Sequence, residues 1–356
     1  MPHRRPPSVL APALAVLLAL PGLPALAANQ CSGSRMDETP PAVNFRVDND
    51  LLGGEDQDQG YTNGAQLTLV SPNLNDYTDD PCLPRLARWI NRRLERLQPG
   101  RFDQQNMVFS IGQGLFTPTD HSRSDLIEND RPYAAVLLAS FGFNARNRSQ
   151  LRTTQLQVGV VGPAALGRQV QEAVHGFTGS EEFMGWDHQL RNEPVLRLVH
   201  ERMRRWPGNG GFHADGWAWD AIAHWGGALG NLSTHANTGM EVRLGWKIPD
   251  DFGSTPLRPA GENTAPRIAG RARGWSAHLF LTSDARWVLH DITLDGNTFR
   301  ASHGVDRRPL VADLGYGVAI MRGRWKFALA RYHRSREFQK QEEAPAFGSF
   351  TISRML

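Results

Sequence analysis

Val43-Asn44-Phe45-Arg46-Val47-Asp48-Asn49-Asp50, then Leu-Leu-Gly-Gly-Glu-Asp-Gln-Asp-Gln-Gly, then Tyr61-Thr62-Asn63-Gly64-Ala65-Gln66-Leu67-Thr68-Leu69-Val70 is the stretch that decides the fold. Val43, Phe45 and Val47 alternate with Asn44, Arg46 and Asp48, and Ala65, Leu67 and Leu69 alternate with Gln66 and Thr68, which is strand period. Two strands are therefore joined by an acidic, glycine-containing loop whose shoulders carry Asn49-Asp50 and Tyr61-Thr62-Asn63. Oxygen donors gathered in this way suit a hard cation such as calcium. The loop is not an EF-hand, because Leu52 falls at the third ligand position and Gln59 stands where the closing Glu belongs. A solvated turn is the plainer reading of the same residues.

The same alternation recurs along the 356 residues, a length that admits one large barrel or two ordinary domains. Residues 1–27 read as a secretory signal: His3-Arg4-Arg5, an apolar Val9 to Leu20, and an Ala25-Leu26-Ala27 exit. After it no apolar run reaches the ~20 residues of a membrane helix, so the exported remainder (28–356) is either soluble or a membrane barrel. The mean hydropathy of −0.43, with 35 Gly and 10 Trp, fits a barrel whose polar inward and apolar outward residues average out. Cys31 and Cys82 are compatible with one disulfide. A net charge of +3 with no basic block excludes nucleic acid as the expected partner.

In chain order the periodicity predicts about twelve strands: 43–50, 61–71, 106–116, 132–144, 151–162, 194–205, 213–227, 232–248, 272–287, 308–321, 325–338 and 347–356. This is an all-β transmembrane antiparallel barrel with helical extracellular and periplasmic loop insertions. Leu86, Ile90, Leu94 and Leu97 predict an amphipathic helix over Leu83 to Leu97, ended by Pro99-Gly100. Its Arg-rich face could lie on a membrane; docking on the barrel rim is the alternative. With a periplasmic N-terminus, the turns at Arg146–Ser149, Pro207–Gly211 and Arg322-Gly323-Arg324 fall on the inner side, as do both cysteines. The acidic loop and the non-strand segment Pro163–Arg191 fall together on the outer side. The final Met355-Leu356 departs from the terminal aromatic that such barrels often carry.

Within Pro163–Arg191, a Pro at the start and glycines at Gly176 and Gly179 punctuate a helix that puts Gln171 and His175, four apart, on one face. Imidazole is the side chain best suited to take a proton near neutral pH. Across the rim from Asp50 it could activate a water beside a cation that polarises an ester carbonyl. A packing role is the plainer reading of a lone His. The sequence offers no Gly-x-Ser-x-Gly elbow, no phosphate-cradling glycine loop and no His-Glu-x-x-His. Ser71, Ser110 and Ser122 are loose candidates for a serine-histidine phospholipase.

Asn49-Asp50, Tyr61-Thr62-Asn63-Gly64, Gln113-Gly114-x-Phe116-Thr117-Pro118, Asp130-Arg131-Pro132-Tyr133-Ala134 and Val161-Gly162-Pro163 come in that order. Gln171-x-x-x-His175 and Trp186 follow them. This series resembles the outer-membrane lipid A 3′-O-deacylase family, most clearly in the first half of the chain. The resemblance implies a twelve-stranded barrel and a calcium-dependent carboxylic ester hydrolase acting on lipid A of lipopolysaccharide in the outer membrane; a monomer is the expected state. It implies catalytic roles for His175, Asp50, Asn49 and Thr62, substrate contacts from Gln171, and calcium ligation by Asp50. Glu181 would bind metal or orient His175. Arg131 would meet a lipid A phosphate or hold a strand entrance. A passive pore with a degenerate site is the competing reading from another class.

Overall fold

The computed structural model describes residues 39–49, 60–100, 102–178, 183–209, 215–253 and 274–356. The expected signal at 1–27, Cys31, the acidic loop with Asp50, Glu181 and the linker at 257–267 lie outside the described residues.

The period-two segments become twelve antiparallel strands: β1 (Ala42–Asn49), β2 (Gly60–Val70), β3 (Gln104–Thr117), β4 (Ala134–Arg146), β5 (Gln150–Val161), β6 (Glu193–Pro207), β7 (Trp217–Gly230), β8 (Ser233–Trp246), β9 (Trp275–Asp291), β10 (Leu310–Arg322), β11 (Trp325–Arg334) and β12 (Ala346–Met355). Each pairs with its sequence neighbours, and β12 pairs back onto β1 to close the barrel. Closure leaves no strand edge unpaired, which a spanning sheet requires. Among the described residues three α-helices interrupt the order: α1 (Arg85–Arg93), α2 (Gly167–Thr178) and the single-turn α3 (Ile292–Asp295). The expected helix at 83–97 is thus α1 plus a 3-10 turn at Glu95–Leu97.

Register fixes which way each side chain points. Phe280, Ala330, Tyr332 and Phe347 meet inside, and counting outward from them turns Val136, Leu138 and Ser140 of β4 inward and Ala135, Leu137 and Phe143 outward. The turns at Asn147–Ser149 and Gly323-Arg324 lie at the end that also holds both chain ends of the barrel. That is the periplasmic, short-turn side of outer-membrane barrels. The tight β7–β8 turn at Asn231-Leu232 lies at the other end, a short outer loop that the strand limits 213–227 and 232–248 left longer. Cys82 is disulfide-bonded, and the sequence contains one other cysteine, Cys31.

The lumen is crossed by ion pairs at both ends. At the periplasmic end, residues after β8 fold into the barrel. Asp250 accepts from Arg146 at 3.0 Å and Arg205 at 2.8 Å, and Asp251 pairs with Lys326 at 2.8 Å and with Arg243. Phe252, fully buried, fills the gap between Leu151, Met203 and Ile222. Burial alone would raise the Asp251 carboxyl, but Lys326 and Arg243 hold it well below the usual carboxylate range. At the outer end Glu337 is bound by Arg131 at 3.1 Å and Arg334 at 3.2 Å.

Candidate active site on the outer wall

A one-residue irregularity in β2 builds half of the site. The β2–β3 register shifts between Tyr61 and Asn63, so Thr62 is the extra residue of a bulge. Tyr61 stays inside, where its hydroxyl donates to Asp48 Oδ2 at 2.9 Å. Thr62 instead meets Thr117, an outward residue of β3, with the two hydroxyls 2.5 Å apart. Asn49 also faces outward, opposite Asn63 and Gly348, and its Nδ2 donates to the Thr62 carbonyl at 3.4 Å. Bulges near active sites commonly re-aim side chains in this way.

The other half is α2. A 3-10 turn, Pro163–Ala165, follows Gly162, whose φ of +102° favours glycine, and carries the chain back over the outside of the wall. There Ala165, Phe183 and Trp186 bury the outward Leu115 and Ala135, with Leu137, Val160 and Val170 packed alongside. Gln113, outward on β3, donates to the Ala165 carbonyl at 2.5 Å. Close approach is possible because Gly167 has no side chain: a Cβ there would stand 2.4 Å from that of Ala135 and 2.8 Å from the Trp186 ring.

On this seated helix, Gln171 and His175 are 2% and 8% exposed. Gln171 Nε2 lies 3.5 Å from His175 Nε2, while Gln171 Oε1 is buried without a hydrogen-bond partner. The imidazole stands edge-on to Phe183 at 4.9 Å between centroids, and His121 stacks on the same ring at 4.6 Å. His121 and Phe183 were missed from sequence because both sit in loops without periodicity.

Asn49, Asn63, Leu115 and Ala135 form one row of paired residues across β1 to β4. Three strand spacings make this row about 14 Å long. Asn49 and Thr62 therefore share the face and the end of the wall on which α2 sits. The sequence expected the constellation across the barrel mouth; the structure puts its described members on the exterior, because the bulge and Asn49 point away from the lumen. A polar cavity of about 290 Å3, lined in part by Arg46, Asp48 and Arg197, lies on the other side of the same wall.

Arg131, expected either to meet a phosphate or to hold a strand entrance, lies just before β4. It is 2% exposed inside the outer mouth, bound to Glu337 and to Thr293 Oγ1 at 2.9 Å, with Phe116 4.8 Å beneath its guanidinium. So committed, it does not present its charge to a lipid phosphate outside the wall. Asp50 and Glu181, the expected carboxylate ligands, lie outside the described residues. The described residues on this wall supply neutral oxygens, the Asn49 amide beside Asp50 in sequence and the Thr62 hydroxyl, and α2 supplies the unpartnered Gln171 Oε1. Oxygen donors of this kind are the type a hard cation takes.

The family model described as "Outer membrane protein LpxR" matches residues 10–356. LpxR from Salmonella typhimurium superposes over 88% of this chain and 100% of its own, with a TM-score of 0.69 at 18% identity. The β domain of the Bordetella autotransporter BrkA covers 90% of this chain and 100% of its own at 9% identity; its TM-score of 0.40 carries no argument. No curated protein matches the chain. With nearly the whole length matched by one family model and a closed twelve-strand barrel of the same build, this outer-membrane protein belongs to the LpxR family.

Proposed function

We propose that the chain is a calcium-dependent esterase that removes a 3′-acyloxyacyl group from lipid A in the outer leaflet. One observation carries the reading: the buried His175 and Gln171 of α2 and the outward Asn49 and bulged Thr62 lie on the same exterior wall, at its outer end. A lipid ester held in the outer leaflet reaches such a place without leaving the membrane. His175 takes the proton from a water molecule at a ring nitrogen as the oxygen attacks the ester carbonyl, and returns it to the departing alcohol. Gln171 limits the imidazole's rotation, and Phe183 excludes bulk water from one edge of it. Asn49 and Thr62 orient the ester, and Asp50 with Asn49 would hold the ion. When bound, calcium supplies polarisation of the ester carbonyl and charge to stabilise the oxyanion.

The pore reading loses support from the ion pairs crossing the lumen at both ends. The serine-phospholipase reading loses it because Ser110 pairs with Ser140 and Ser122 binds Asp120, neither of them a histidine. Mass spectrometry of lipid A from cells producing wild type or His175→Ala tests the proposal. Wild type should shorten the lipid by one acyloxyacyl group, and His175→Ala should slow this by about 10²–10⁴-fold. Identical lipid A profiles from the two folded proteins would remove the basis of the assignment.

A further inference from the structure

The loop between β2 and β3 also climbs onto the exterior wall, at the end opposite to α2. Met107 and Phe143 point outward, yet both are buried, because Leu74, Tyr77, Cys82 and Leu83 cover them. The cover is fixed in place. Tyr77 donates its hydroxyl proton to the Asn144 carbonyl at 2.6 Å, and Asn91, inside α1, donates to the Tyr77 carbonyl at 2.6 Å. That bond decides which side of α1 faces the barrel: Asn91, Ala87 and Leu94 turn in. Leu86, expected on the buried stripe, is 69% exposed, and Trp89 is 56% exposed.

Around this bare pair stand Arg85, Arg92, Arg93 and Arg96, all exposed. The acids of the same cover are Asp76, whose carboxylate accepts from Thr78 and Asp79; Asp79, which pairs with Arg92; the buried Asp80; and Glu95. Height follows from β4. Ala135 under α2 and Phe143 under α1 are eight residues apart, about 26 Å along the strand and about 20 Å along the membrane normal for a tilt of ~40°. The two covers therefore stand near the two edges of an apolar band ~25 Å tall.

A second pattern places α1 in the inner interface. At the periplasmic end other strands carry tryptophans with an arginine over the ring: Arg204 on Trp206 at 5.4 Å, Arg322 on Trp275 at 4.9 Å and Arg354 on Trp325 at 5.1 Å. Between Ala42 and Val161 the sequence has one tryptophan, Trp89, and Arg93 lies over it at 5.6 Å. The girdle that strands supply elsewhere is continued here by a helix.

We propose that α1 is an interfacial helix that binds anionic phospholipid headgroups of the periplasmic leaflet, with Leu86 and Trp89 in the acyl boundary and Arg85, Arg93 and Arg96 on the phosphates. This does not rest on the esterase assignment.

The test uses the full-length protein in phosphatidylcholine bilayers containing a minor fraction of lipid brominated near the headgroup. Subtracting Trp89→Phe emission from wild-type emission isolates the signal of Trp89. Brominated phosphatidylglycerol should quench that signal at least twofold, and several-fold more than brominated phosphatidylcholine at the same mole fraction. In Arg85→Gln/Arg93→Gln/Arg96→Gln, built with and without Trp89→Phe, the preference should vanish while quenching persists. A difference signal that no brominated lipid quenches overturns the proposal, as does equal quenching by the two lipids in wild type. Protection that grows with protein density, the sign of a second copy covering the helix, overturns it too. Unchanged heat-modifiable gel mobility reports that each variant retains its barrel.

Discussion

Strands β3 and β4 and strands β6 to β10 belong to one cylinder but have different exteriors. On the second group the outward residues are bare and apolar, as at Leu196, Leu244, Leu279 and Leu310, and burial alternates residue by residue. On the first, both faces are buried at both ends, and the outward positions include Gln113 and Thr117. A polar group facing lipid is costly unless it finds a partner. In this sector it does, because a loop from each rim has been laid over the wall. Gln113 and Thr117 on the outside of this barrel thus sit where protein replaces lipid as the neighbour. The bare sector is stabilised from within instead, by the Arg205–Asp220–Arg243–Asp251 chain in its lumen.

Arg243→Met should separate these two strategies most sharply. It takes one of two cations from each of buried Asp220 and Asp251, which keep Arg205 and Lys326, so stability should fall by up to about 3 kcal/mol, read from urea unfolding in micelles, while the folded fraction keeps its activity. A loss of activity without loss of stability would break the distinction. Acid reaches the same plugs more gradually. Asp251 and Glu337, both outside the strands, have depressed carboxyl pKa values: burial opposes ionisation, and Lys326 and Arg243, or Arg334 and Arg131, outweigh it. Their stabilisation is therefore complete above the ordinary carboxylate pKa of about 4 and disappears only as pH falls below it. Unfolding midpoints should be flat from pH 7 to about pH 5 and drop under stronger acid.

In the covered sector, Gly167→Val should push α2 off Ala135 and Trp186. The overpacking costs about 1–3 kcal/mol, and lipid A processing should be lost while gel mobility shows an intact barrel. Thr117→Val removes the partner of Thr62, an interaction worth about 1 kcal/mol, so turnover should fall by roughly tenfold or less. Leu279→Ala, on the bare exterior, should leave both stability and turnover nearly unchanged, since lipid fills the space. A large effect there would mean that this face has a protein neighbour.

Most of the barrel was legible because period two survives wherever one face meets lipid and the other the lumen. Legibility failed where that contrast was absent. The bulge at Thr62 is one residue long and leaves no periodic trace, so the site was expected across the mouth and not on the wall. Arg131 could not be given its partner, since Glu337 lies 206 residues away. The plug at Asp250-Asp251-Phe252 had a usable signal that went unread: Arg146, Arg205 and Arg243 all face inward at one end, and such buried cations require acids. In α1 the leucine spacing held at Leu94 and Leu97, which pack on the wall, and failed at Leu86, because the buried amide of Asn91 rotates the helix.

The placement of α2 against the exterior has a kinetic consequence. On the proposed function, a site facing lipid would meet its substrate by two-dimensional diffusion, so the relevant concentration would be the mole fraction of substrate lipid among its neighbours. In mixed micelles, turnover would decline as inert detergent dilutes the surface, even at constant bulk substrate.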